Sequence, residues 1–164
     1  AREVIIVPHP TLRKKAAPVT DFGAETQQLI EDMIITLHEE SGAGLAAPQV
    51  NVSQQVILVE FGSEEDESIP PTLYVTVNPK ITRFSPETIS GAEGCLSIPG
   101  LMGEVERAQE IVVEGQDRSG EPLKMHLRGW VARIFQHEID HLNGILYTDR
   151  TTNVWETDEN YNPV

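Results

Sequence analysis

The residues with the clearest chemistry lie in Gln136-His137-Glu138-Ile139-Asp140-His141, a His-Glu-x-x-His arrangement. On a helix, positions i and i+4 share one face about a turn apart, so His137 and His141 can aim two imidazoles at one cation. Glu138, beside the first imidazole, can reach water next to that cation without ligating it. The plainer alternative is an exposed helix face that happens to hold histidines and acids. Ile134, Phe135, Ile139 and Leu142 argue against it, because they imply a part-buried setting where unpartnered polar groups are costly.

A catalytic metal site needs a third protein ligand and one open position. No His follows His141, and the downstream acids Asp149, Glu156, Asp158 and Glu159 sit in or near a polar tail. Cys95 is the single cysteine, so no intramolecular disulfide can form. It lies in Glu93-Gly94-Cys95-Leu96-Ser97 and is the candidate third ligand, since a thiol on a divalent cation is deprotonated outright. The competing Cys–His nucleophilic pair needs a free His as base. His9 in a Pro-rich segment, His38 on the polar side of a helix and His126 on the polar face of a strand read as surface histidines.

The elements that must position these groups follow from hydrophobic spacing. A helix is predicted from about Ala24 to Glu40, with Leu29, Ile30, Met33, Ile34 and Leu37 on one face and Ser41-Gly42 as its stop. Strands are expected over Gln54–Glu60, Thr72–Val77 and Glu110–Gln116. Asp117-Arg118-Ser119-Gly120 turns the last of these into an alternating run, Leu123, Met125 and Leu127, which makes a hairpin with one buried face. The short apolar run over residues 4–7 suits a strand cut off by Pro8 and Pro10, and Phe61–Pro71 suits an exposed acidic loop. The His-Glu-x-x-His helix should start near Gly129-Trp130 and stop at Asn143-Gly144. The tail from Thr151 is expected to be loosely ordered. The expected class is α+β: mostly antiparallel strands around a central metal-binding helix, with an N-terminal helix outside.

Composition narrows the function classes. A length of 164 residues suits a single domain spanning 1–164. A net charge of −14 argues against general binding to nucleic acid or anionic lipid. No apolar run approaches the roughly 18 residues of a membrane span, and no leader or transit pattern opens the chain, so the expected location is cytoplasmic. Ala1 is compatible both with removal of an initiator Met and with an engineered start.

Three segments then resemble the signatures of the peptide deformylase family, type 1-like, complete and in order. They are Gly42-Ala43-Gly44-Leu45-Ala46-Ala47-Pro48-Gln49, then Glu93-Gly94-Cys95-Leu96-Ser97, then His137-Glu138-Ile139-Asp140-His141. The similarity runs from Pro8-His9-Pro10-Thr11-Leu12-Arg13 to Gly144-Ile145-Leu146-Tyr147. The resemblance implies a hydrolase that removes the formyl group from the N-terminal formyl-methionine of nascent polypeptides and releases formate. It implies one divalent ion on Cys95, His137 and His141, Fe(II) by family, with Zn, Ni or Co able to take the site. It implies Glu138 as the proton carrier between water and the leaving amine, with the Gln49 side-chain amide and the Leu96 backbone N–H stabilising the oxyanion.

By the same resemblance Gly42, Ala43 and Gly44 pair with the substrate backbone like an added strand, beside Gly94. Ala43, Leu96, Trp130, Ile134 and the His137 ring line the methionine pocket. Arg133 stands where some branches carry an apolar residue, which leaves pocket shape open. A Glu93–Arg107 ion pair is expected to hold the Cys95 loop. Some bacterial relatives dock on the ribosome through a basic terminal helix. No Lys or Arg follows Arg150 here, so transient proximity to the ribosome is compatible with the sequence but stable docking through this segment is not expected. Two rivals stand beside this reading. One is a zincin-like endopeptidase, which would need a ligand after His141 and no Cys95. The other is a non-catalytic metal-holding or peptide-binding relative.

Overall fold

The computed structural model describes residues 1–164. After a 3-10 turn at Pro10–Arg13 come helix α1 (Ala24–Glu39), strand β1 (Gly44–Ala46), a second 3-10 turn at Ala47–Val50, and strands β2 (Val56–Phe61) and β3 (Thr72–Phe84). Strands β4 (Thr88–Cys95), β5 (Ile98–Ala108), β6 (Glu110–Gln116) and β7 (Pro122–Arg128) lead into helix α2 (Gly129–Leu142). A 3-10 turn at Tyr147–Asp149 and strand β8 (Val154–Glu156) complete the order. The strands form two antiparallel sheets, one in the order β1-β2-β3-β6-β7 and one in the order β4-β5-β8. The class is α+β, as the sequence predicts. No helix is long and apolar enough to cross a membrane.

Strand β2 shows how the large sheet is covered on both faces. Its residues Val56, Ile57, Leu58 and Val59 are all fully buried. Side chains alternate across a strand, so Val56 and Leu58 join Leu29, Ile30, Met33 and Leu37 of α1 on one face. Ile57 and Val59 join Ala132, Ile134, Phe135, Ile139 and Leu142 of α2 on the other. A third, smaller core of Ile98, Val105, Leu146 and Tyr147 lies under the small sheet. Helix α2 is thus packed on several sides, and every residue from Ala132 to Leu142 is buried. Its polar residues therefore need partners inside the protein. Gln136 finds them on the β5 backbone, accepting from Ala108 N–H and donating to Ala108 C=O.

Some local expectations shift. Residues 4–7 form no strand: Ile5 and Val7 N–H donate singly to Gln49 C=O and Ser97 C=O, and no ladder develops. Strand β3 runs to Phe84, well past Val77, because register shifts against β6 let the pairing continue through Pro79. The tail is more ordered than its polarity suggests, since Leu101, Met102 and Gly103 of β5 pair with residues of β8. The larger omission is the β4–β5 hairpin. Gly91, Gly94, Gly100 and Gly103 weaken its strand pattern, yet it carries Cys95 to the site.

Candidate metal centre

Cys95 ends β4, and His137 and His141 lie one turn apart on α2. Their donor atoms all fall within 4.8 Å of one another. Cys95 Sγ is 3.4 Å from His141 Nε2. Two tetrahedral ligands, a sulfur at about 2.3 Å and a nitrogen at about 2.1 Å from one ion, would stand roughly 3.6 Å apart, so the spacing suits a shared cation. His9, His38 and His126 take no part. His9 Nδ1 accepts from Thr11 N–H, His38 bonds to Glu60 on the surface, and His126 is exposed on β7.

The buried electrostatics point the same way. Burial alone would push His137 down. The charge of Glu138, hydrogen bonds with Cys95 and Glu93, and the charge of Cys95 instead raise it well above the ordinary histidine value. The surrounding negative charge thus favours positive charge at this position, which a divalent cation would supply. His141 is pushed well below its ordinary value, by burial first and then by the positive charge of His137, so it is held neutral, as a ligand must be. Burial pushes Glu138 up to about 7, offset in part by His137 and Arg107. Its Oε1 is buried with no hydrogen-bond partner. A buried polar atom without a partner calls for an explanation, and a role toward water or ligand at the centre supplies one.

Around the donors lies an ionic cradle. Glu93 Oε1 is 2.9 Å from His137 Nδ1, which leaves Nε2 of that ring for a metal. Arg107 holds Glu93 with two hydrogen bonds, Nε at 2.9 Å and Nη2 at 2.8 Å, and reaches Asp140 through Nη1 at 2.7 Å. The expected Glu93–Arg107 pair is therefore present, and Asp140 extends it to Arg150. Arg133 joins the same carboxylate: Nη1 donates to Glu93 Oε2 and Val105 C=O, and Nη2 to Ile89 C=O. Its guanidinium lies 5.3 Å from the Trp130 ring centroid. Arg133 borders the cavity, but its charge is committed to Glu93 and the strand carbonyls.

The cavity beside these groups measures about 360 Å³, near the small end of ligand pockets. Gly42 and Ala43 border one side, Gly94 and Leu96 another, and Trp130, Ile134, His137 and Glu138 contribute from α2. Gly44 does not line it. A Cβ there would stand 2.5 Å from Glu138 Oε2 and 2.9 Å from Ile134 Cγ2, so the bare glycine lets β1 close onto the carboxylate. Gln49 is 1% exposed; its Oε1 accepts from Ala46 N–H, which turns Nε2 toward Cys95 Sγ at 3.6 Å and Ser97 Oγ at 3.1 Å. Leu96 occupies the tip between β4 and β5.

Sequence reasoning missed four participants. Tyr147 stacks on His137, with centroids 6.1 Å apart, and its hydroxyl is buried without a partner. Ser97, Met102 and Tyr161 border Gln49 or the cavity. The position of Ser97 two residues after Cys95, inside the same motif, was a usable signal; nothing in the spacing of Met102 or Tyr161 marks them.

Comparison with known proteins agrees with this geometry. The polypeptide deformylase family model matches residues 1–156. A peptide deformylase of Symbiobacterium thermophilum is 46% identical over 152 residues, covering 93% of this chain and 67% of the relative. That of Halothermothrix orenii is 43% identical, covering 90% and 91%. Among solved structures, the Met-Ala-Ser-bound class I type b peptide deformylase of Acinetobacter baumannii superposes with a TM-score of 0.85 at 39% identity, covering 92% of this chain and 98% of that one. The peptide deformylase of Thermotoga maritima also gives 0.85, at 40% identity with 92% and 97% coverage. On its motifs, its fold and these similarities, the chain belongs to the polypeptide deformylase family.

Proposed function

We propose that this deformylase, a hydrolase that removes the N-formyl group from nascent polypeptides, does so with Cys95, His137 and His141 as ligands of one Fe(II) ion and Glu138 as proton carrier. The observation that carries the reading is the convergence of three soft and borderline donor atoms within 4.8 Å beside the unpartnered Glu138 Oε1. A sulfur and two imidazoles suit several first-row metals, so the choice of iron over zinc, nickel or cobalt rests on the family. A bound divalent ion there supplies Lewis acidity, acidifying water and polarising a carbonyl.

The chain's own residues do the remaining work. Glu138, buried against β1, takes the proton that water must lose and hands it to the leaving amine. A carboxyl pushed by burial to about 7 can both take and give a proton near neutral pH; an adjacent cation draws it lower and favours the basic form. Gln49 Nε2, aimed past Cys95, donates to the oxyanion without adding charge, and the Leu96 N–H is the second donor. Gly42 and Ala43 align the peptide backbone, and Leu96, Trp130 and Ile134 enclose the methionine side chain. Gly44 and Arg133 serve from behind, one making room for Glu138 and the other bracing Glu93. We place the protein, as one catalytic domain over residues 1–164, in the cytoplasm near ribosomes, where formyl-Met chains emerge.

The test is metal analysis of anaerobically purified protein together with formate release from a formyl-Met tripeptide. The reading expects about one iron per chain, loss of metal in Cys95→Ala, and metal retained with activity lost in Glu138→Gln. Full metal in Cys95→Ala would refute the ligand set and favour a zincin-like centre.

A further inference from the structure

From the cavity wall and the chain that reaches it, we infer that Tyr161 determines specificity for the peptide residues that follow formyl-Met. This rests on the deformylase reading and adds a substrate contact outside residues 1–156, the part that matches the family. Tyr161 borders the same cavity as Gly94, Met102 and Trp130.

The chain is folded back to put it there. Beyond β8, Thr157 N–H donates to Gly100 C=O, which prolongs the pairing alongside β5. The chain then reverses. Asp158 Oδ1 accepts from Asn160 N–H at 2.8 Å and Asn162 N–H at 2.9 Å, and Tyr161 N–H donates to Asp158 C=O. Val164 N–H returns to Glu156 C=O, and Thr157 bridges Pro163. These bonds hold Tyr161 at a φ of 63°, the left-handed region that a bulky residue seldom occupies. An aromatic residue fixed in that conformation and still 61% exposed is not serving a core; its ring stands at the cavity mouth.

A cavity of about 360 Å³ with the proton carrier and metal donors on its inner wall accommodates formyl-Met, so the following residues must leave past the mouth. There they meet the aromatic face of Tyr161, carried on a segment that also exposes Glu156, Asp158 and Glu159. Such a rim favours apolar residues after the methionine and disfavours acidic ones.

The test compares kcat/KM for formyl-Met-Leu-Leu with kcat/KM for formyl-Met amide, using the metal-loaded full chain. Tyr161→Ala should lower the ratio of the two about three- to tenfold, the scale of one lost aromatic contact. Tyr161→Phe should keep the ratio, because the ring makes the contact. Asp158→Ala, which frees the turn but leaves the ring in the sequence, should lower it as Tyr161→Ala does. An unchanged ratio in Tyr161→Ala, or an equal loss on both substrates, overturns the inference. Failure of the unaltered protein to release formate from formyl-Met amide would instead overturn the deformylase reading beneath it.

Discussion

Gly44→Ala isolates what the position of Glu138 is worth. Gly44 does not have a positive φ, so alanine is allowed by the backbone and the effect is purely one of contact. The new Cβ would stand 2.5 Å from Glu138 Oε2, against ordinary contact from 3.4 Å upward. One partner must therefore retreat by about 0.9 Å. The backbone of β1 is pinned by pairing of Gly44, Leu45 and Ala46 with β2, so the carboxylate moves. A misplacement of about 1 Å in a reacting constellation costs on the order of a hundredfold, equivalent to about 2.7 kcal/mol of barrier. The assay is formate release alongside metal content and thermal melting. The expected result is a kcat lower by about a hundredfold with metal retained, and a fold weakened by about 1–3 kcal/mol of overpacking. In a Glu138→Ala background the same substitution should cost almost no further activity, because the displaced group is gone, while the contact with Ile134 Cγ2 at 2.9 Å keeps part of the loss in stability. Activity within threefold of the unaltered enzyme, or an equal loss in both backgrounds, would refute the reasoning.

Arg107→Ala leaves Glu93 and Asp140 short of a buried partner; at about 3–5 kcal/mol for breaking such a pair, melting should fall by about 6–20 °C and metal content should drop, both read on the purified protein. Gly91→Ala would put a Cβ 2.9 Å from Arg133 Cζ; pushing that guanidinium off Glu93 and Ile89 C=O should lower stability by about 1–3 kcal/mol in denaturant unfolding, and an unchanged midpoint would argue against the bracing role. Burial would raise Glu93, but Arg107 and His137 outweigh it and hold the carboxyl below its ordinary range. With the folded value below the unfolded one, ionised Glu93 stabilises the fold at neutral pH, and this contribution is lost as pH falls below about 5. Melting temperature should therefore decline into acid, and less steeply in Glu93→Gln.

The helical parts of the site were legible because their signals are local. Leu29 to Leu37 repeat at helical spacing and end at Ser41-Gly42, and α1 ends within a residue of the expected position. His137 and His141 meet on one face because four residues make about one turn. The β4–β5 hairpin was not legible, because a strand with glycine at 91, 94, 100 and 103 has little alternation to read. Two of those glycines answer long-range demands instead. Gly91 passes the Arg133 guanidinium and Gly103 lies against Tyr147, whose Cε2 a Cβ would meet at 3.0 Å. The motif around Cys95 pointed to a candidate ligand, but only the fold shows that Glu93, two residues earlier, faces the same helix. Arg133 illustrates the same limit: the family resemblance pointed to the pocket, while the three acceptors that claim its guanidinium come from β4 and β5.

Those acceptors explain how α2 can be buried on so many sides and still carry charge. Each ionised group on it has a fixed counterpart: Arg133 on Glu93, Asp140 on Arg107 and Arg150, His137 on Glu93. Glu138 and His141 are the exceptions, since Glu138 Oε1 and His141 Nδ1 have no partner. A helix so thoroughly paired elsewhere would be expected to pair these as well, or to replace them with apolar residues at little cost in stability. Stability alone does not account for leaving the carboxylate open. Under the proposed function it is the cost of keeping a proton acceptor unengaged until water and a formyl carbonyl arrive, with the surrounding ion pairs supplying the rigidity that holds it within reach.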